Sequence, residues 1–358
     1  MATMQDVAKL AQVSLSTVSY AINNTRPISA ATRERIERAM RELDFRPNQI
    51  ARSLASRRSN IIALTFPGTE NAMGSTIMEF VTAAAQAARE RAMHLVVWPY
   101  AADQADEMLQ MSRQGLADGV ILMEVRRDDA RVRLLDEHRI PLTMIGRTDD
   151  SADARCVDID FDATAETAVE HLTGLGHTEI ALLNQSAGSR DHGYGPAIRI
   201  ADGFRAALGR RGLSGEILWC EPTPLAGRRA TDELMNRDRR VTAMVAMNEN
   251  AVIGAVSGLS TYDHVVPQTF SVLSIVTSPL MAQMVEPKLT TLHSPGAELG
   301  RLGVQNLLDR LDGHPPTSGP TLLPCRWEAG HSTGPVAPVP RGPEPTSDPK
   351  ARGRTPNS

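Results

Sequence analysis

The chain reads as an α/β protein: an all-helical head carrying a helix-turn-helix, a short linking helix, and a larger two-lobed α/β body. Three observations predict this. Residues 3–23 hold two short helical patterns around a tight turn. From Ile61 onward β-rich apolar runs alternate with helical runs, and the alternation restarts near residue 160. Charge divides along the same line: residues 1–60 carry ten Lys and Arg against five Asp and Glu, a net of +5, and the remainder carries 28 against 37, a net of −9. A basic module suits phosphate neutralisation, whereas an acidic body does not spread over DNA. At 358 residues the chain is long for one domain.

In the head, Thr3 with Asp6 three residues on makes a capping-box-like helix start, and Met4, Val7, Ala8 and Ala11 recur at helical spacing. The chain turns through Gln12 and Val13. Ser14 is a good N-cap for a second helix whose Val18, Ala21 and Ile22 form an apolar seam. Its opposite face carries Ser16, Ser19 and Tyr20, with no acid to repel phosphate, which is the profile of a recognition helix. Leu15 nearly overlies Ile22 in helical angle, so it is either core or a contact for a thymine methyl.

Ser29 caps a third helix with Ile36, Met40 and Leu43 on its inner side. Arg33, Arg35, Arg38 and Arg41 form a solvated face balanced by Glu34, Glu37 and Glu42, while Asn23, Arg26 and Arg33, near the turn, are expected to touch the DNA backbone. Pro47 breaks the chain and Asn48 caps the segment QIARSLA, with Ile50 and Leu54 one turn apart. About two turns is well short of the roughly 12 to 15 residues at which isolated helices become marginal. That helix needs a partner or DNA to form.

The body opens with IIALTF, an Ala-rich helical stretch over 75–92, and the strand HLVVWPY. Helices over 103–114 and 128–138 alternate with GVILMEV and PLTMIG. A second series holds IALLN, a helix over about 200–211, EILWC, a helix near 228–236, VTAMVAM, a helix over 251–259, and FSVLSIV. Such alternation predicts parallel sheets covered by helices, and two lobes imply a cleft whose ligand sits beyond the strands' carboxyl ends. The segment SAGSRDHGYGP reads as a loop too long to be a mere connector, which favours Arg190 and Arg199 as ligand contacts. Glu124 and Arg147 lie at strand ends, either facing ligand or pairing with each other; Asn248 and Glu249 face ligand or cap the following helix. TLLPCRWEA is read as a closing strand of the second lobe, and 334–358, rich in Pro, Gly and Ser, as a disordered tail.

Other chemistry is not signalled. No nucleotide loop, GxSxG or HExxH motif stands in the chain. Cys156, Cys220 and Cys325 are far apart and odd in number, which argues against disulfides and zinc and fits a reducing cytoplasm. His171 and His177 bracket a helix end as packing and dipole-compensating residues rather than metal ligands. No signal peptide and no membrane span is read, and no cofactor is expected. Two rival classes, an α/β enzyme with an unrecognised cleft site and a solute-binding protein, leave the basic head without a use.

The run DVAKLAQVSLSTVSYAIN, continued by TRPISAATRERIERAMRELDFRPNQIARSLA, resembles the headpiece of the LacI family of bacterial repressors, nearly without gaps over residues 3–55. Gln12 stands where that family usually has Gly. The body is similar to the family's effector domain, which is periplasmic-binding-protein-like, through DIDFDATAETAVEHLTGLGHTEIALL, GFRAAL, MNENAVIGA, VPQTFSVLSI and PKLTTLHSPGAELGRLGVQNLLDRLDG.

The resemblance implies a homodimer that binds a near-palindromic double-stranded operator under the control of a small-molecule effector, a sugar or glycoside. Leu15, Ser16 and Tyr20 fall where the family reads base edges, and Ser14, Thr17 and Ser19 where it touches phosphates; Thr3, Asn23 and Arg26 join that face. Asn48, Arg52 and Leu54 belong to a hinge that enters the minor groove, with Leu54 the wedge. Effector positions are Phe66, Pro67, Glu124, Arg147, Tyr194, Arg199, Asn248 and Glu249. Two departures stand out: Ile200 replaces the usual Arg three residues before the Gly-Phe pair, and Val276 replaces an Asp that grips sugar hydroxyls. The expected domains are a head over 1–46, a hinge helix and linker over 47–60, a two-lobed body over 61–333 and a disordered tail over 334–358.

Overall fold

The computed structural model describes residues 2–23, 26–45, 58–66, 75–100, 104–150, 153–237, 240–314 and 319–336. Expectations for Asn48, Arg52, Leu54, Pro67 and residues 337–358 of the tail lie outside these residues. Residues 334–336, expected to open that tail, are instead tied to the second unit, the Gly334 N–H donating to the Ser271 hydroxyl at 3.0 Å and the Val336 N–H to the Leu175 carbonyl at 3.0 Å. In chain order the elements are α1 (Met4–Leu10), α2 (Leu15–Asn23), α3 (Ala30–Glu42), β1 (Ile61–Thr65), α4 (Ser75–Glu90), β2 (His94–Trp98), α5 (Ala105–Arg113), β3 (Gly119–Leu122), α6 (Ala130–Glu137), β4 (Leu142–Ile145) and β5 (Cys156–Ile159). There follow α7 (Phe161–Gly174), β6 (Ile180–Asn184), α8 (Ala187–Asp191), α9 (Gly195–Gly209), β7 (Ile217–Trp219), α10 (Pro224–Arg237), β8 (Ala243–Ala246), α11 (Ala251–Leu259), β9 (Ser271–Thr277), α12 (Pro279–Ala282), β10 (Thr290–His293), α13 (Gly296–Leu311), β11 (Thr321–Leu323) and β12 (Arg326–Glu328).

The chain divides into two compact units, one comprising 1–159, 192–195 and 295–323, the other 160–191, 196–294 and 324–358. In the first, the three head helices close on Val7, Ala8, Ala11, Val18, Ala21, Ile36 and Ala39. Val7, Val18 and Ile36 are wholly buried, each contributing about 1.5–3 kcal/mol relative to exposure. The sequence reading of α1–α3 and their caps holds: Thr3 and Asp6 form a reciprocal capping box, and Ser29 caps α3 by accepting the Thr32 N–H.

The first unit's sheet runs β11-β5-β4-β3-β1-β2, with every neighbouring pair parallel. β3, β4 and β5 are buried at every position, as expected of strands covered on both faces. Helix α13 returns from late in the chain and lies against α4. A Cβ at Gly300 would stand 2.4 Å from the Phe80 carbonyl oxygen, so only glycine allows that approach.

The second unit's sheet runs β12-β10-β9-β8-β6-β7, parallel except for the antiparallel β10/β12 pair. Three expectations are corrected. TLLPCRWEA is two strands: Thr321–Leu323 joins the first sheet, and Arg326–Glu328 the second, because the chain breaks at Pro324. The supposed loop after β6 is mostly ordered: Ser186 accepts the Ser189 N–H and caps α8, and α9 begins at Gly195, five residues before the first expected helical residue. Helix α10 likewise starts earlier, at Pro224, a residue well suited to a first helical turn.

Candidate nucleic-acid interface and effector site

The head presents α2 by its N-terminal hydroxyls. Ser14 Oγ accepts the Thr17 N–H at 3.1 Å and lies 2.8 Å from Ser16 Oγ and 2.7 Å from Thr17 Oγ1. These three hydroxyls leave the helix start free of acid, where backbone N–H groups and the helix dipole favour an anion. Gln12 turns the chain before it at φ 52°, the left-handed conformation that glycine would meet without strain. Leu15 is 51% exposed beside this cluster, so its side chain stands outside the core, and Ile22 takes the partly buried position instead.

Tyr20 lies further along the same helix, and the Arg26 guanidinium sits 5.2 Å from its ring centre. This geometry ties a basic side chain to the aromatic one by a cation–π contact. Thr3 is occupied in part by capping: its hydroxyl donates to the Asp6 carboxylate at 2.8 Å, and this bond holds the Asp6 carboxyl below its ordinary range. Asn23 is the last residue of α2. Arg33 also serves the fold. Its guanidinium donates to the Ala21 carbonyl at 3.2 Å, tying α3 to the end of α2.

Among the body's candidates, those in the first unit gather around the end of β3. Glu124 follows that strand at φ 50°. Burial pushes its carboxyl up to about 7, against the pull of the Arg131 charge. Arg131 is the residue that shapes this corner. Almost fully buried, it donates Nε and Nη2 to the Asp129 carboxylate at 3.0 and 2.8 Å, and Nη2 also reaches the carbonyls of Met123 at 3.1 Å and Glu124 at 3.2 Å. Burial raises the Asp129 carboxyl, but the Arg131 bonds and charge outweigh it and keep the group ionised.

Tyr194 pairs antiparallel with Arg126 through an isolated bridge, which brings the segment 193–195 against 125–127. Its hydroxyl is held well above the usual tyrosine range, first by burial and then by the Glu124 and Asp158 charges. Arg147 does not pair with Glu124. Its ion pair is with Asp158, Nε to Oδ2 at 3.8 Å. Phe66, at the end of β1, is 2% exposed. Glu124, Tyr194, Asp158 and Arg147 thus form one mixed-charge polar corner.

In the second unit, Arg190 lies with its guanidinium 5.0 Å from the Trp219 ring centre and donates Nε to Asp191 at 2.8 Å. Arg199 is partly exposed on α9, whereas Ile200 beside it is wholly buried, so the departure at that position is a core residue. Asn248 is buried, and its amide serves the protein: Oδ1 accepts the Ala251 N–H at 3.1 Å, and Nδ2 donates to Cys220 O at 2.9 Å. Its capping alternative is therefore the geometry seen. Glu249 beside it is partly exposed. Val276 has φ 54° at the point where the β9/β10 register shifts, an outlier for a β-branched residue.

His171 and His177 sit apart from these groups. His177 contacts Thr242, Ser271 and the Gly334 carbonyl through its two ring nitrogens, and the His171 ring packs tilted against Trp327, centroids 4.5 Å apart. Among the described residues no helix is long and apolar enough to cross a membrane. Sequence reasoning missed Arg131, Asp129 and Asp158; the first two lie in the charged run RRDDARVR, which reads as an ordinary solvated helix start.

Residues 3–48 match the model of the bacterial regulatory proteins of the lacI family, and residues 169–333 that of a periplasmic binding protein-like domain. The transcriptional regulator CelR of Thermobifida fusca is 30% identical over 331 residues, covering 90% of this chain and 94% of the relative. The ribose operon repressor of Escherichia coli (strain K12) is 29% identical over 317 residues, covering 87% and 93%. A lac repressor dimer, solved bound to operator and the anti-inducer ONPF, superposes with a TM-score of 0.80 at 25% identity, covering 93% of this chain and 99% of that one.

Proposed function

Because the chain belongs to the lacI family of bacterial regulatory proteins and is a DNA-binding transcriptional regulator, we propose that it is a homodimeric repressor whose operator affinity is set by a sugar or glycoside. The observation that carries the operator half is the exposed Leu15 beside the Ser14, Ser16 and Thr17 hydroxyls and the Tyr20–Arg26 stack. In this reading Leu15, Ser16 and Tyr20 meet base edges; Ser14, Thr17 and Ser19, with Thr3, Asn23 and Arg26, meet the backbone.

The head is assigned to residues 1–46, the hinge helix and linker to 47–60, the body to 61–336, because the Gly334 N–H donates to the Ser271 hydroxyl and the Val336 N–H to the Leu175 carbonyl, and a tail to 337–358. Two hinges pair on the operator, and Leu54 wedges between base steps beside Asn48 and Arg52, a deformation of roughly 20 to 90 degrees offset by contacts formed only there. Effector is held in the body by Glu124, Arg147 and Tyr194 with Phe66, and by Arg190, Arg199 and Glu249, with Asn248 behind the last. Sugar as the effector class is supported by the name of the ribose operon repressor and by the mixed donors and acceptors of the Glu124 corner. An effector that changes the placement of the body's start near Ile61 changes hinge pairing and so the kink.

The test is a duplex selection with the full chain followed by a thermal-shift panel of neutral sugars and glycosides. A selected two-fold duplex and a panel member that both shifts the melting temperature and changes affinity for that duplex are expected. Selection that enriches no sequence would overturn the operator half; an inert panel would overturn the effector half.

A further inference from the structure

At the end of the hinge and linker segment, residues 58–60 are held at more places than the start of a strand requires. The Asp118 carboxylate accepts the Ser59 N–H at 2.6 Å, the Ser59 hydroxyl at 2.9 Å and the Asn60 N–H at 2.9 Å. Asn60, at φ 55°, turns the chain, and its carbonyl accepts the His94 N–H at 2.8 Å. Arg58 reaches the far end of the fold's late helix: Nη2 donates to the Leu311 carbonyl at 2.8 Å, and Nη1 lies 3.3 Å from Asp312 Oδ1. That carbonyl is among the last of α13, where unpaired C=O groups and the helix dipole favour a cation.

Helix α13 is the first element the chain enters when it returns from the second unit at 294/295. It is wedged into the first unit by Gly296 and Gly300 on α4 and by Gly303 against Ile145. Its end is therefore a rigid anchor, and Arg58 fastens the exit of the hinge to it. We infer that Arg58, with the Asp118 clasp beside it, is a positioning residue for operator recognition: it fixes the point and direction from which the hinge leaves the body. This rests on the hinge reading proposed above.

The bland alternative is that Arg58 only compensates the α13 dipole. Magnitudes separate the two. The Arg58 and Asp312 side chains are 53% and 51% exposed, and exposed ion pairs contribute little to stability, so the fold does not depend on them. Were the clasp merely a shorter tether, freeing the few residues before β1 would lower the effective concentration of each hinge by less than about twofold. A residue that sets direction acts through coupling between body and hinge, for which about fivefold or more is usual.

The experiment compares binding to a duplex selected by the parent chain with binding to a scrambled duplex of equal composition, for the parent, Arg58→Ala, Arg58→Lys and Asp312→Ala. Arg58→Ala is expected to keep the parent's melting temperature and its affinity for scrambled DNA, and to lose about fivefold or more of the specificity ratio. Arg58→Lys, which keeps a cationic donor for the Leu311 carbonyl, should recover most of that loss, and Asp312→Ala should lose less than Arg58→Ala. A parent that does not discriminate would remove the proposed function and this inference together. A discriminating parent whose Arg58→Ala ratio changes less than about twofold, or whose ratio falls only as far as its stability does, would overturn the positioning role alone.

Discussion

The Arg26 guanidinium stacks over the ring of Tyr20, 5.2 Å from its centre, so the aromatic candidate for base reading and the cationic candidate for phosphate binding form one unit. Arg26→Ala should weaken all sequences alike and flatten the salt slope by about one ion. Tyr20→Ala should change which operator bases matter and, by freeing Arg26, weaken scrambled DNA too. A double-mutant cycle should show coupling of about 0.5–1 kcal/mol. Strict additivity, or an unchanged base preference in Tyr20→Ala, would separate the two residues.

Gln12 occupies a left-handed turn with its side chain in solvent. A non-glycine residue there costs about 1–2 kcal/mol, partly returned by the greater unfolded freedom of glycine. Gln12→Gly should therefore stabilise the head by up to about 1 kcal/mol. Hydrogen exchange of the α1 and α2 amides in the full chain reads this directly, and faster exchange in the variant would show that Gln12 makes a compensating contact.

Glu124 keeps its proton in the folded chain up to a pH of about 7, because burial raises it. The unfolded chain releases that proton near 4.5. Between those values the native state binds more protons than the unfolded one, so this group makes stability fall as pH rises and levels the loss above 7. The charge facing it is Arg131, which opposes the shift, and the neutral Tyr194 hydroxyl shares the corner. Glu124→Gln should remove that slope in urea unfolding and be more stable than the parent at pH 8 but not at pH 4. Parallel profiles for both chains would contradict it.

Asn248 bridges the ends of two strands and the start of α11 with both halves of its amide. Asn248→Ala should cost about 1–3 kcal/mol by leaving a buried N–H and a buried carbonyl unpaired. Urea unfolding at neutral pH gives the number; an unchanged midpoint would return Asn248 to a purely ligand-facing role.

What was legible in the sequence followed local signals. Caps at Thr3, Ser14 and Ser29, 3.6-residue spacing in the head and β-rich runs in the body are short-range patterns, and they give the head helices and most of the strands. What was hidden depends on distance in the chain. Strand β11 joins a sheet whose other members end at residue 159, and no periodicity announces that return. The buried Arg131 has the same origin: a charged helix start looks solvated until Asp129 and two carbonyls enclose it. Asn248 read equally as ligand contact or cap because both roles place a polar residue after a strand.

The central claim is sequence-specific DNA binding by the head, and fluorescence anisotropy of the full chain against its own promoter duplex and a scrambled duplex, over a range of salt, tests it most directly. The account predicts a steep salt dependence for both duplexes and affinity for the promoter tighter by about 1,000-fold or more at physiological salt. Equal affinity for the two duplexes across the salt range would contradict it.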